Sequence, residues 1–140
     1  SFDLKNSKWI KIIPKSKAVP PPLDSHSACH YVDEKGNQFV VIFGGFVGAN
    51  FGEPWNQVIM FNLATEEWTL PYKDHIILNS GSGPNPRSGH GAIIHKHDMY
   101  IFGGTDGDVK YNDLWKYDLR THQWTQIKAE NPPAVRKLCD

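Results

Sequence analysis

Apolar residues in this chain fall in short runs broken by turn-formers, and the three-to-four-residue spacing of a helix is hard to find. Phe39-Val40-Val41-Ile42-Phe43 ends at Gly44-Gly45, and Met99-Tyr100-Ile101-Phe102 ends at Gly103-Gly104. β-Branched and aromatic residues crowd into these runs while ten prolines and twelve glycines punctuate the chain, the pattern of short strands joined by turns. The runs predict strands at 28–32, 39–43, 57–63 and 67–70, and again at 91–95, 99–102, 113–119 and 123–127. The fold class is all-β.

The two sets of strands are one unit written twice. His26-Ser27-Ala28, Gly44-Gly45, the run from Val58 through Phe61 to Leu63, and Glu67-Trp68-Thr69 are matched in order by His90-Gly91-Ala92, Gly103-Gly104, the run from Leu114 through Tyr117 to Leu119, and Gln123-Trp124-Thr125. His26 to Trp68 spans 42 positions and His90 to Trp124 spans 34, and insertions in two loops account for the difference. One insertion coincides with the turn-forming Asp33-Glu34-Lys35-Gly36-Asn37, and the other lengthens the loop at 46–55. Phe2 to Trp9 repeats the seven-residue spacing of Phe61 to Trp68 and of Tyr117 to Trp124, so a partial unit precedes the pair. Pro132-Pro133-Ala134-Val135-Arg136 is similar to Pro84-Asn85-Pro86-Arg87 and opens a further unit. The expected divisions are 1–19, a closing strand and linker; 20–72 and 73–128, two repeats; and 129–140, the start of another.

Charge narrows the possible partners. Fifteen Lys and Arg balance fifteen Asp and Glu among 140 residues, with no basic or acidic block, which argues against nucleic acid or an anionic membrane surface as a partner. The longest apolar run, 39–43, is far short of the roughly 20 residues that cross a bilayer, so no membrane-spanning segment is expected. The N-terminus lacks an initiating Met and has no signal-peptide pattern, so a processed or excised end is expected. With only Cys29 and Cys139 and no Asn-x-Ser/Thr acceptor, a reducing, cytoplasmic setting is expected.

A double Gly after an apolar strand, then an aromatic, then a Trp seven residues later resembles the kelch repeat, over nearly all of residues 1–136. The run from Pro84 to His90 and that from Tyr111 to Asp118 look like the variety found in adaptors and in leucine-zipper-like and Rab-effector kelch proteins. The resemblance implies four-stranded antiparallel blades of a β-propeller, a ring of about four to eight blades. Two blades and two fragments do not close such a ring, which leaves completion by further blades of a longer protein or by assembly of several chains. In the family an N-terminal strand often completes the last blade, and 8–13 is the segment expected to do so. The implied signature positions are Trp9, Gly44, Gly45, Phe61, Trp68, Arg87, His90, Gly103, Gly104, Tyr117 and Trp124. Trp68 and Trp124 are expected to supply the rings that cover the glycine pairs. Leu23 stands where the second copy has Arg87, so a contact between blades made by such an Arg is expected to be weakened in the first.

Catalytic chemistry finds little footing. His95-x-His97 would bring two imidazoles together, but a zinc or copper site needs three or four ligands, and the segment reads as the turn between two strands. His26 and His90 recur at one repeat position, which marks them as structural, the repeat accounts for Ser25-His26 and Ser88-Gly89-His90 alike, and nothing beside Cys29 suggests a reactive thiol. No catalytic residue, metal ligand or cofactor is assigned, and the chain is expected not to be an enzyme. What remains is the loops, which in kelch rings commonly bind partners on one face. Phe46, Asn50, Phe51 and Trp55 in the first long loop, and Asp106, Asp108 and Lys110 in the second, are the candidate contacts, with the linker 71–86 beside them. Rigid rings deliver contact area at small entropic cost, although rings in a loop also fold back into their own blade. The expected function is a protein-interaction module that presents these loops to a protein or peptide in a regulatory or adaptor assembly. The alternative is part of a kelch-type metalloenzyme whose ligands lie outside this chain.

Overall fold

A computed structural model describes residues 1–48, 52–70, 83–131 and 133–134. Its architecture is all-β, dominated by two four-stranded antiparallel meanders. The first contains β4 (Ser27–Val32), β5 (Gln38–Phe43), β8 (Val58–Asn62) and β9 (Glu67–Thr69); the second contains β10 (Gly91–His95), β11 (Asp98–Phe102), β12 (Leu114–Asp118) and β13 (Gln123–Ile127). The eight strands read from the pattern are those observed, within a residue at each end. Leu63 and Leu119 fall just outside the strands but still donate their amides to the Gln38 and His97 carbonyls. Between β4 and β5 a five-residue turn built on Asp33 replaces the two-residue turn at Lys96-His97, and each flanking strand gains one residue.

The seven-residue spacing has a geometric cause. β1 (Phe2–Asp3) and β2 (Lys8–Trp9) form a hairpin in which Phe2 lies opposite Trp9, as Phe61 lies opposite Trp68 and Tyr117 opposite Trp124. In all three the next residue caps the turn: the side-chain oxygens of Asp3, Asn62 and Asp118 accept the amides two and three positions on. Each turn then closes through a left-handed residue, Ser7, Glu66 or His122. An Asx cap and one left-handed residue thus fix the register, and the aromatic and Trp pack as tilted cross-strand neighbours with centroids 4.7–5.1 Å apart. Within the segment 8–13, Lys8–Trp9 is a strand and pairs with β1.

The two meanders share one core. Tyr31, Val41, Phe43, Val58 and Met60 of the first cluster with Met99, Ile101, Tyr117 and Leu119 of the second. Polar contacts pin the same joint: the Tyr31 hydroxyl meets His97 Nδ1 at 3.0 Å, and His90 Nε2 meets the Ser27 hydroxyl at 2.8 Å. The glycine pairs serve this approach. A methyl on Gly44 (φ 68°) would lie 2.5 Å from the Arg87 carbonyl oxygen and 2.8 Å from the His90 ring, so only glycine admits the chain arriving there. The tryptophans do not cover these glycines, contrary to expectation; the nearest atoms to Gly45 and Gly104 belong to Asp24 and His26, and to Ser88 and His90. Trp124 instead packs against Tyr117, Trp115, Gly83 and, across the joint, Phe43.

His90 makes this joint pH-sensitive. Burial, together with the nearby Arg87 and His26, pushes its pKa down to about 4. The folded value lies below the unfolded one, near 6.5, so the neutral ring is the stabilised form. Stability from this group is complete above about pH 6.5 and is lost as pH falls toward 4, by about 2–3 kcal/mol. Urea unfolding between pH 7 and 4 is expected to show this decline, and His90→Gln is expected to flatten it.

Candidate functional site

The loops that join second to third strands leave the meanders at the end where Phe43 lies opposite both Ser27 and Val58, and where Phe102 lies opposite both Gly91 and Leu114. In the first unit this end carries a small extra sheet of β3 (Leu23–Asp24), β6 (Phe46–Val47) and β7 (Glu53–Pro54). In the second the same arrangement shrinks to two bridges, Ser88 to Thr105 and Thr105 to Lys110. The equivalence continues residue by residue. Trp55 and Tyr111 donate their amides to Gly45 and Gly104 at 2.8 Å, and the Asn56 and Asn112 side chains donate to the Pro84 and Pro133 carbonyls. Pro133 therefore stands to the second unit as Pro84 stands to the first.

Beneath the second loop lies Arg87, fully buried. Its two terminal nitrogens donate to the two Asp113 carboxylate oxygens at 2.6 and 3.0 Å, one of them also to the Gly103 carbonyl, while Nε donates to Asn85. Asp113 also accepts the Trp115 indole N–H at 2.7 Å. Burial raises the Asp113 pKa, but the bonds from Arg87 and Trp115 outweigh it and hold the carboxyl below its usual range. The guanidinium lies 4.2 Å over the Tyr111 ring, whose hydroxyl donates to Asp106 at 2.6 Å. Asp106 also caps its loop by accepting the Asp108 and Val109 amides, and its carboxyl is held below the usual range by the Tyr111 bond first and the Val109 amide next. Thr105 closes the same loop through the Val109 carbonyl and the Gly107 amide.

A family profile described as the KLHDC2/KLHL20/DRC7 Kelch-repeats domain matches residues 1–139. The chain belongs to the kelch-repeat family. It is 27% identical to human Kelch domain-containing protein 10 over 99% of its own length and 30% of that protein's. It is 29% identical to Drosophila melanogaster Host cell factor, covering 94% of this chain and 9% of that protein. The leucine-zipper-like transcriptional regulator 1 homolog of the same fly is 28% identical, over 94% and 13%. The chain thus spans less than a third of the length of these relatives.

Within the kelch blades the sequence-predicted contacts separate. Phe46 is buried, with 8% exposed, and pairs with Asp24 and Pro54, so its ring packs inside the fold and does not stand out as an anchor. Trp55 is half-buried, with its backbone bonded to Gly45 and Arg87. Asn50, Phe51 and residues 71–82 of the linker lie outside the described residues. Asp106 is occupied within its own loop, whereas Asp108, Val109 and Lys110 face solvent. The Arg87 side chain spends its hydrogen bonds inside its own blade, and only its backbone bridges to Gly45 and Trp55 of the first. In the second blade, then, the hydrogen bonds that a Leu at this position would remove are bonds within the blade. Tyr111, Asn112, Asp113 and Trp115 were read only as part of the 111–118 motif and given no role, although aligning Trp55-Asn56-Gln57 with Tyr111-Asn112-Asp113 exposes their equivalence.

Among the described residues no three His, Cys, Asp or Glu side chains are grouped to hold a metal ion. His95 ends β10 and His97 lies in the turn before β11, where Tyr31 engages it. Among the described residues no helix is long and apolar enough to cross a membrane. A cleft of about 430 Å³ at the outer side of the second blade is lined by Phe102, Gly103, Gly104, Lys110, Tyr111 and Pro133, among others. The corresponding place on the first blade is filled by the chain from Arg87 to His90, which buries Phe43 completely, whereas Phe102 is 42% exposed.

Proposed function

We propose that this kelch-repeat chain is a non-enzymatic protein-interaction module that presents its loop end to a protein or peptide in a regulatory or adaptor assembly. The observation that carries the proposal is the loop from Thr105 to Lys110, which is tied internally by Thr105 and Asp106 yet turns Asp108, Val109 (51% exposed) and Lys110 outward. A loop held in one shape loses little entropy on binding. Among the described residues of β3 and of the loops at 46–55 and 105–110, Asp24, Glu53, Asp106 and Asp108 outnumber Lys110, and beneath them Arg87 and Asp113 neutralise one another. That balance favours a partner segment carrying Lys or Arg. Cytoplasmic residence belongs to the same proposal, supported by the free thiol of Cys29. So does completion of the ring by further blades or by copies of the chain, with the cleft beside Gly103 and Gly104 as the seat of the next blade.

Panning the full chain against a displayed library of random peptides tests the proposal. Enrichment of peptides containing Lys or Arg is expected, and Asp108→Lys combined with Val109→Ser is expected to weaken their binding tenfold or more by calorimetry. Absence of enrichment, or equal binding by the variant, would show that the loop is not a contact surface.

A further inference from the structure

We propose that buried Arg87 is a positioning residue for the Thr105–Lys110 loop, acting through the Tyr111 ring and the hydroxyl that Tyr111 gives to Asp106. This deepens the proposed function and rests on that loop being the contact surface. Each link is a described contact: Asp113 and the Gly103 carbonyl fix the guanidinium, the guanidinium lies 4.2 Å over the Tyr111 ring, and the Tyr111 hydroxyl reaches Asp106 at 2.6 Å. Asn85 steadies the hydroxyl from the other side at 3.3 Å. A cation over a ring face resists sliding of the ring, and a short bond to a carboxylate is among the stronger hydrogen bonds. The same carboxylate holds the Asp108 and Val109 amides, so the shape of the exposed tip depends on where Tyr111 puts Asp106.

The first blade supplies the comparison. There Leu23 replaces Arg87, Gln57 replaces Asp113, Ile59 replaces Trp115 and Trp55 replaces Tyr111, so every member of the relay is absent together. The loop above them is held differently, by the backbone pairing of β3, β6 and β7. Two blades of one repeat thus fix their loops by different means: one by a strand ladder, the other by a buried cation reaching outward through a tyrosine.

The test is amide hydrogen exchange on the full chain with Tyr111→Phe, which keeps the ring over Arg87 and removes only the bond to Asp106. The Asp108 and Val109 amides are expected to exchange at least tenfold faster, while the amides of β10 to β13 keep their protection and the affinity for a selected peptide falls severalfold. A second variant, Arg87→Leu with Asp113→Gln, copies the first blade, so no buried charge is left unpaired; it is expected to loosen the same two amides. Unchanged exchange of these amides in either variant, with the sheet still protected, would overturn the relay. Faster exchange with peptide affinity unchanged would uphold the positioning and overturn the loop as the contact surface.

Discussion

Arg87→Ala is expected to lower the free energy of unfolding by about 3–5 kcal/mol, the usual cost of removing one partner of a buried ion pair. The reason is what it leaves behind. Asp113 would keep its charge with the Trp115 indole and its own backbone amide in place of the guanidinium, and the Gly103 carbonyl would lose the Arg87 donor. Carrying the Asp113→Gln and Arg87→Leu changes together should recover most of that loss, since the first blade folds with Leu23 and Gln57 at these positions. Urea denaturation of the single and double variants checks this. A single variant that costs under about 1 kcal/mol, the range of exposed pairs, would mean that the pair is solvated and not structural.

Trp124→Ala is expected to be comparably damaging, by about 3–5 kcal/mol, and Trp9→Ala nearly silent, within about 0.5 kcal/mol. Both stand at the same place in the repeat, opposite an aromatic across a hairpin. Trp124, however, also contacts Trp115, Gly83 and Phe43 of the neighbouring blade, whereas Trp9 is 81% exposed. Unfolding midpoints of the two variants separate the contribution of the joint from that of the hairpin. Equal losses would show that the Trp acts through its hairpin alone.

That contrast explains what was legible in the sequence. The repeat, the eight strands and the hairpin spacing follow from local chemistry, because alternation, Asx caps and glycine pairs act within a few residues of themselves. Contacts between elements were harder to read. Nothing adjacent to Phe46 reveals that its loop adds a strand against Leu23–Asp24, because Gly48, Gly52 and Pro54 give the segment the composition of an irregular loop. The partners of Arg87 lie 16 and 26 positions away, and they become visible only when the two copies are compared for residues that change together. The glycine pairs were expected to lie under Trp rings, but what approaches them is the segment leading into a strand, with its His.

The Asx-capped hairpins close within eight residues, whereas the Ser27–His90 bond spans 63. Contacts so different in sequence distance form on different timescales, with short hairpins taking microseconds and distant pairings waiting on loop closure. During synthesis the first meander would acquire its sheet while its Gly44 face stayed bare, until the segment from Arg87 to His90, which leads into β10, emerged from the ribosome to cover it. Each blade would then be finished only by its successor, and the direction of translation would set the order in which the joints lock.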